Sequence, residues 1–99
     1  MSGTSKKIIL YSKNGYSKKH DELLNRIIDE KILLFCVLGK DCELWHDIMD
    51  ELFVGLGEER DFFMITTWHT NETLDEVIEF AKDYDFEGID NKKIEIITV

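Results

Sequence analysis

The stretch Ile-Leu-Leu-Phe-Cys-Val-Leu at residues 32–38 is the longest apolar run in the chain. It shows no alternation of apolar and polar side chains, which is typical of a strand buried on both faces of a sheet. A parallel sheet with helices on both sides provides that environment. The run therefore predicts an α/β fold, and Gly39, directly after it, is expected to end the strand.

Three further segments have the length and composition of strands, at residues 7–11, 62–68 and 93–99. Between them, apolar side chains recur with the period of a helix. The three predicted helices are one at 18–30 after an N-cap at Ser17, one that begins after Asp41 and ends at Gly55 and Gly57, and one that begins after Thr70 or Asn71. The predicted order of elements is βαβαβαβ.

This order predicts a three-layer α/β/α fold with a four-stranded, mostly parallel sheet, because strands separated by helices pair in parallel through right-handed crossovers. The preferred strand order is 2-1-3-4, with the first helix on one face and the other two on the opposite face. The order 3-2-1-4 is the alternative, because it places the apolar run at the centre. The chain is expected to form one domain over residues 1–99, with residues 1–5 as a loose end.

The charge of the chain limits its partners. Its 21 Asp and Glu residues against 12 Lys and Arg residues give a net charge of −9. Residues 1–40 contribute +4 to this total and residues 41–99 contribute −13. Such a field repels phosphate backbones, so we expect no nucleic acid partner. It favours a basic protein partner, although acidic helix faces also keep a small domain soluble on their own.

The sequence also favours a cytoplasmic protein. No basic and apolar leader segment opens the chain, and no apolar run is long enough to span a membrane. The two cysteines, Cys36 and Cys42, do not form a CxxC pair and are typical of a reducing compartment. We therefore expect neither a membrane partner nor a disulfide framework.

Polar residues gather where the predicted strands end. The carboxyl ends of parallel strands lie at one edge of a sheet, and open α/β sheets bind their ligands there. The loops expected at this edge span residues 12–17, 39–42 and 66–71. The candidate ligand-binding residues in them are Ser12, Asn14, Gly15, Ser17, Lys40, Asp41, Thr67, Trp68 and Thr70.

Three residues at the same edge are candidate catalytic residues. Cys42 lies in the first turn of the second helix, where backbone N–H groups stabilise a thiolate, and His46 follows one turn later. With His69 they predict a nucleophilic or redox site, or a set of three zinc ligands. The alternative is a half-buried cysteine, since the acidic neighbour Asp41 raises a thiol pKa. We expect no bound metal and no cofactor.

The opening of the chain resembles that of flavodoxins. Its residues 7–17, Lys-Ile-Ile-Leu-Tyr-Ser-Lys-Asn-Gly-Tyr-Ser, are similar to a flavodoxin strand that runs into a phosphate-binding loop and a helix. The resemblance implies a phosphate site at Ser12, Asn14, Gly15 and Ser17, with Trp68 as a stacking aromatic. It covers these residues alone, and the predicted elements include no fifth strand.

A second resemblance covers most of the chain. Residues 32–52 and 66–81 together resemble a family of small bacterial domains of unknown function. The resemblance implies one compact domain and brings no activity with it.

Two functions follow from these observations. The leading hypothesis is a small acidic cytoplasmic module that binds or regulates a basic protein partner. The alternative is a small-molecule or redox enzyme that uses Cys42, His46 and His69. A homodimer that pairs through the edge strand at residues 94–99 is a further possibility.

Overall fold

The computed structural model describes residues 6–55, 64–84 and 93–99. The elements are β1 (Lys7–Ser12), a 3₁₀ turn (Lys18–His20), α1 (Asp21–Asp29), β2 (Leu34–Gly39), α2 (Cys42–Val54), β3 (Ile65–His69), α3 (Leu74–Asp83) and β4 (Ile94–Thr98). The predicted alternation of strands and helices is confirmed. The expected loose end at residues 1–5, the helix stop at Gly57 and the first two residues of the strand expected at 62–68 lie outside the described residues.

The four strands form one sheet in the order β3-β2-β1-β4, and every neighbouring pair is parallel. The alternative order 3-2-1-4 is therefore confirmed, and the preferred order 2-1-3-4 is wrong. The reason lies in β2, whose residues from Leu34 to Leu38 are all buried. A strand that is apolar on both faces is stable at the centre of the sheet, where β1 and β3 pair with its two edges.

The strand order also decides which face each helix covers. The crossovers from β1 to β2 and from β2 to β3 run in the same direction, so right-handedness places α1 and α2 on one face. The crossover from β3 to β4 returns across the sheet and places α3 on the other face. The expectation that the second and third helices share a face is therefore wrong.

The core consists of two layers that follow the alternation of side chains along the strands. On the first face, Ile8 and Phe35 pack with Trp45 of α2. On the second face, Ile9 and Cys36 pack with α3. None of the helices in the described ranges is long and apolar enough to cross a bilayer.

A buried lysine fixes the end of α3. Lys7 is only 1% exposed, and its ammonium group donates hydrogen bonds to the backbone carbonyls of Ala81 and Tyr84. These carbonyls belong to the last turn of α3 and the residue after it, where the helix dipole is negative. A cation from β1 therefore stabilises the negative end of the α3 dipole.

The helix starts differ from the expected ones in two places. After Ser17 the chain first forms the 3₁₀ turn, so α1 begins at Asp21 and not at residue 18. The N-cap of α3 is Thr73, whose hydroxyl accepts from the Glu76 N–H at 3.2 Å while the Glu76 carboxylate accepts from the Thr73 N–H at 2.8 Å. Thr70 and Asn71 are therefore not the cap, because Asn71 takes a left-handed turn at φ 63° before the helix begins. Asp41 does occupy the N-cap position of α2.

The prediction of an edge strand near the chain's last residues is confirmed, because β4 pairs with β1 at the edge of the sheet. Ile96 of this strand is 43% exposed. A homodimer through β4 stays a prediction.

Replacing Gly39 by alanine is expected to lower the free energy of unfolding by more than about 2 kcal/mol. Gly39 has φ +96°, and a Cβ atom there would lie 2.2 Å from the carbonyl oxygen of Ser12. Gly55→Ala is the matched control, because Gly55 has helical φ and the nearest atom to its Cβ would be 3.3 Å away. Urea unfolding of both variants measures the difference, and equal stabilities would contradict the role of Gly39.

Candidate functional site

The three loops predicted to share one edge of the sheet do so, and the middle loop contacts both of the others. The Lys40 N–H donates to the Ser12 carbonyl at 2.8 Å, so the second loop is joined to the first. The Cys42 thiol donates to the His69 carbonyl at 3.8 Å, so the second loop also reaches the third. The three loops are therefore joined by hydrogen bonds at one edge of the sheet.

The first loop is built around the hydroxyl of Ser12, which is 1% exposed. This oxygen accepts hydrogen bonds from the Gly15 N–H at 3.1 Å and from the indole N–H of Trp45 at 2.9 Å. The Trp45 ring in turn packs edge-on against Tyr16, with centroids 5.2 Å apart. Ser12 thus holds the loop in place, and both acceptor positions of its hydroxyl are used inside the protein.

The loop does not have the donor arrangement that the flavodoxin resemblance implies. In a phosphate-binding loop, successive N–H groups point at the anion. Here the N–H groups of Gly15, Tyr16 and Ser17 donate to Ser12, to the carboxylate of Asp41 at 3.1 Å and to the His20 ring at 3.2 Å. Three consecutive donors are used by the protein, and a carboxylate stands where the anion would bind.

The other residues of the predicted ligand set lie around this loop or away from it. A cavity of about 460 Å³ beside the loop includes Asn14, Gly15 and Ser17 in its lining. Lys40 is exposed at the end of β2. Trp68 lies on β3, two strands away from β1, so it is not placed to stack on a ligand held by the first loop.

The three catalytic candidates do not form one cluster. His46 packs against Trp68, with ring centroids 4.5 Å apart. Trp68 pairs in register with Val37, which belongs to the face that α1 and α2 cover. The His69 ring packs 4.9 Å from Phe80 of α3, on the opposite face. The sheet therefore separates the two imidazole rings.

Cys42 contacts the third loop through its backbone and a hydroxyl, and not through an imidazole. Its sulfur lies 3.8 Å from the His69 carbonyl oxygen and 3.9 Å from the Thr70 hydroxyl. In the part of the chain that the structure describes, no group of three His, Cys, Asp or Glu side chains could hold a metal ion.

His69 has a different set of partners, which the sequence analysis found only in part. Its Nε2 atom lies 2.9 Å from the Thr67 hydroxyl, and its Nδ1 atom lies 2.9 Å from the Glu72 carboxylate. The His69 side chain is 7% exposed. Thr67 was a candidate ligand-binding residue, whereas Glu72 was missed. The spacing Thr-x-His-x-x-Glu is the signal in the sequence, because i and i+2 share one face of a strand.

The other cysteine lies beneath this group. Burial raises the pKa of the Cys36 thiol to about 11, and the hydrogen bond with Thr67 offsets only part of that increase. A side chain that is fully buried and protonated at neutral pH is a core residue, as its place in the apolar run predicts.

The outer face of α2 is the most acidic surface of a single element. The helix carries Glu43, Asp47, Asp50 and Glu51 and contains neither Lys nor Arg. A cavity of about 590 Å³ lies along its second half, lined by Asp47, Asp50, Glu51, Val54 and Gly55. A second cavity of about 350 Å³ lies between α2 and the start of α1 and shares Glu51 with the first.

Tyr16 lines the second of these cavities and donates a hydrogen bond to Asp21. This hydrogen bond, together with partial burial and the negative charge of Asp21, raises the pKa of the Tyr16 phenol to about 12. The phenol therefore remains neutral at physiological pH and presents an uncharged wall to the cavity.

The native protein is expected to react with iodoacetamide at least about tenfold more slowly than free cysteine does at the same pH. Both thiols are buried, and Cys42 donates to a carbonyl group. Peptide mapping assigns the alkylated residue, and the unfolded protein is the positive control. Alkylation of native Cys42 faster than that of free cysteine would restore the nucleophile hypothesis.

Substitution of Asp21 by asparagine is expected to bring the pKa of Tyr16 down from about 12 towards the ordinary value. The negative charge is lost, and the amide oxygen of asparagine is a weaker acceptor than a carboxylate, so both effects of Asp21 that disfavour the phenolate are reduced. The ultraviolet absorbance of tyrosinate measures the change, and Tyr16→Phe identifies the step that belongs to this residue. An unchanged titration in Asp21→Asn would show that Asp21 is not the cause.

No curated protein and no solved structure matches this chain. A family model described as "Domain of unknown function (DUF7684)" matches residues 2–97. Since this match covers nearly the whole sequence, the chain belongs to that family of domains of unknown function.

Proposed function

We propose that this chain is a protein-binding module and that the outer face of α2 receives a basic segment of a protein partner. The observation that carries the proposal is the charge of α2, which has four acidic side chains and no Lys or Arg over Cys42–Val54. Within the described ranges, His46 is the only basic side chain in an ion pair with any of the four, at 3.2 Å from Asp47.

The position of these carboxylates on the helix adds to the argument. Asp50 and Glu51 lie in the second half of α2, near the negative end of the helix dipole, and the last turn contains no basic residue. Negative charge at that end costs about 0.3–1 kcal/mol per side chain. A partner that brings Lys or Arg to this surface would relieve both the dipole interaction and the mutual repulsion of the carboxylates.

The shape of the surface fits long basic side chains. Val54 is 60% exposed in the larger cavity, beside Asp50 and Glu51. The methylene groups of a Lys or Arg side chain can lie over Val54 while the charged end reaches the carboxylates. The smaller cavity differs, because Lys18 lines it together with Asp21 and Glu51, and Asp21 already accepts a hydrogen bond from Tyr16.

Because the larger cavity has no Lys or Arg among the lining residues that the structure describes, we propose that the partner segment presents its basic side chain to this cavity. A cytoplasmic location is part of the same proposal, since Cys36 and Cys42 are both free thiols and such thiols persist in a reducing compartment.

The proposal is tested with a short arginine-rich peptide and the variant Asp47→Asn/Asp50→Asn/Glu51→Gln. We expect the variant to bind the peptide at least about tenfold more weakly than the original chain, which corresponds to about 1.4 kcal/mol. Calorimetry over a series of salt concentrations measures the affinities, and binding is expected to weaken as salt rises.

The matched control is Asp75→Asn/Glu79→Gln/Asp83→Asn on the exposed face of α3. It removes the same number of charges from the opposite side of the sheet, so we expect its affinity to change by less than about twofold. Equal losses in the two variants would show that the peptide responds to net charge alone. That result, or an absence of binding to the original chain, would contradict the proposed surface.

A further inference from the structure

The group formed by Thr67, His69 and Glu72 lies on the α3 side of β3, on the other side of the sheet from α2. The three side chains are joined in series by two contacts of 2.9 Å, from the threonine hydroxyl to the imidazole and from the imidazole to the carboxylate. A hydroxyl, an imidazole and a carboxylate joined in this order constitute the arrangement that activates the nucleophile in many hydrolases.

The chemistry of the partners fixes the positions of the protons. A carboxylate only accepts hydrogen bonds, so the Nδ1 atom of His69 carries the hydrogen that Glu72 accepts. In the neutral ring the Nε2 atom is then an acceptor, and the Thr67 hydroxyl donates to it. The Cys36 thiol, which is protonated at neutral pH, can donate to the Thr67 oxygen, so the Thr67 proton is directed at His69 Nε2.

The sequence hypothesis placed His69 with Cys42 and His46, whose side chains lie elsewhere. We propose instead that Thr67, His69 and Glu72 form an acyl-transfer site for small esters, with Thr67 as nucleophile, His69 as general base and Glu72 as the residue that positions the imidazole. This site shares no residue with the proposed binding surface on α2, so either proposal can fail without the other.

The ester and water are the only reactants that this reaction needs. The Thr67 oxygen forms a bond to the ester carbonyl carbon as its proton passes to His69 Nε2. The bond to the leaving alcohol then breaks, and the alcohol takes that proton, which leaves an acyl group on Thr67. Water attacks this acyl group, gives a proton to His69, and releases the acid as the proton returns to Thr67.

The surroundings of the group indicate the class of substrate. Thr67 is half-buried on β3, an edge strand of the sheet, and the Glu72 side chain is 41% exposed. Phe80 packs against the His69 ring and supplies an apolar surface next to it. This apolar surface favours a short apolar acyl group, and an ester with a good leaving group needs the least stabilisation of its oxyanion.

The probe for this site is therefore p-nitrophenyl acetate. We expect the protein to release p-nitrophenolate and to gain the mass of one acetyl group, which peptide mapping assigns to Thr67. Thr67→Val is expected to abolish this acetylation, whereas Thr67→Ser keeps a hydroxyl and is expected to retain it. Glu72→Gln is expected to slow the reaction at least about tenfold, because the carboxylate that orients the imidazole is lost.

Thr66→Val is the matched control, since Thr66 precedes Thr67 on the same strand and faces the other side of the sheet. We expect it to react as the original chain does, and circular dichroism checks that every variant is folded. Acetylation that maps to lysine side chains alone would overturn the proposal. Equal acetylation rates in folded Thr67→Val and Thr67→Ser, or an absence of reaction in the original chain, would also overturn it.

Discussion

β2 is buried on both faces and hydrogen-bonded along both edges, and this double burial determines where every other element lies. Its side chains alternate between the two faces, so each face needs its own apolar cover. One face receives α1 and α2, and the other receives α3. If apolar and polar side chains alternated along β2, the strand would be stable at an edge of the sheet. The crossovers could then have run in another order.

The same strand also organises the edge where its neighbours end. Gly39 closes β2 with a positive φ, and its lack of a side chain allows the backbone of Ser12 to approach. The second loop can therefore hydrogen-bond to the first, and Asp41 can reach the Tyr16 N–H. Because this carboxylate occupies the position of an anion, the loop is completed by the protein's own charge and not by a phosphate ligand.

How much of the structure the sequence could predict depends on how far apart in the chain the interacting residues are. The elements, the parallel sheet and the shared edge of the three loops depend on local patterns and on the handedness of crossovers, so they could be predicted. The observed strand order 3-2-1-4 could also have been predicted, because it buries residues 32–38 on both faces at the centre of the sheet. The preferred order 2-1-3-4 gave that pattern too little weight. The buried contact of Lys7 with Ala81 joins distant parts of the chain, and no local pattern indicates it.

The candidate site shows the same limit at the level of single side chains. The shared edge of the sheet grouped Cys42 and His46 with His69 in the prediction, but strand register decides which face a residue lies on. His69 is in register with Leu38, on the α3 side, whereas Trp68 and the adjacent His46 lie on the α2 side. Because successive side chains along a strand point to opposite faces, Trp68 and His69 lie on different sides of β3. Once the face is known, the partners of His69 follow from the residues that share it.

The two surfaces differ in the way they satisfy their charged groups, and this difference bears on what each can do. The carboxylate of Glu72 is held by an imidazole inside a connected chain of hydrogen bonds, so its position is fixed before any ligand arrives. The carboxylates of Asp50 and Glu51 lie at the unfavourable end of a helix, and within the described ranges they have no basic partner. A reaction requires reacting groups in fixed positions, whereas a binding partner can stabilise exposed charges that lack a partner of opposite sign. The fold therefore places the pre-organised group of Thr67, His69 and Glu72 on one side of the sheet and the acidic face of α2 on the other.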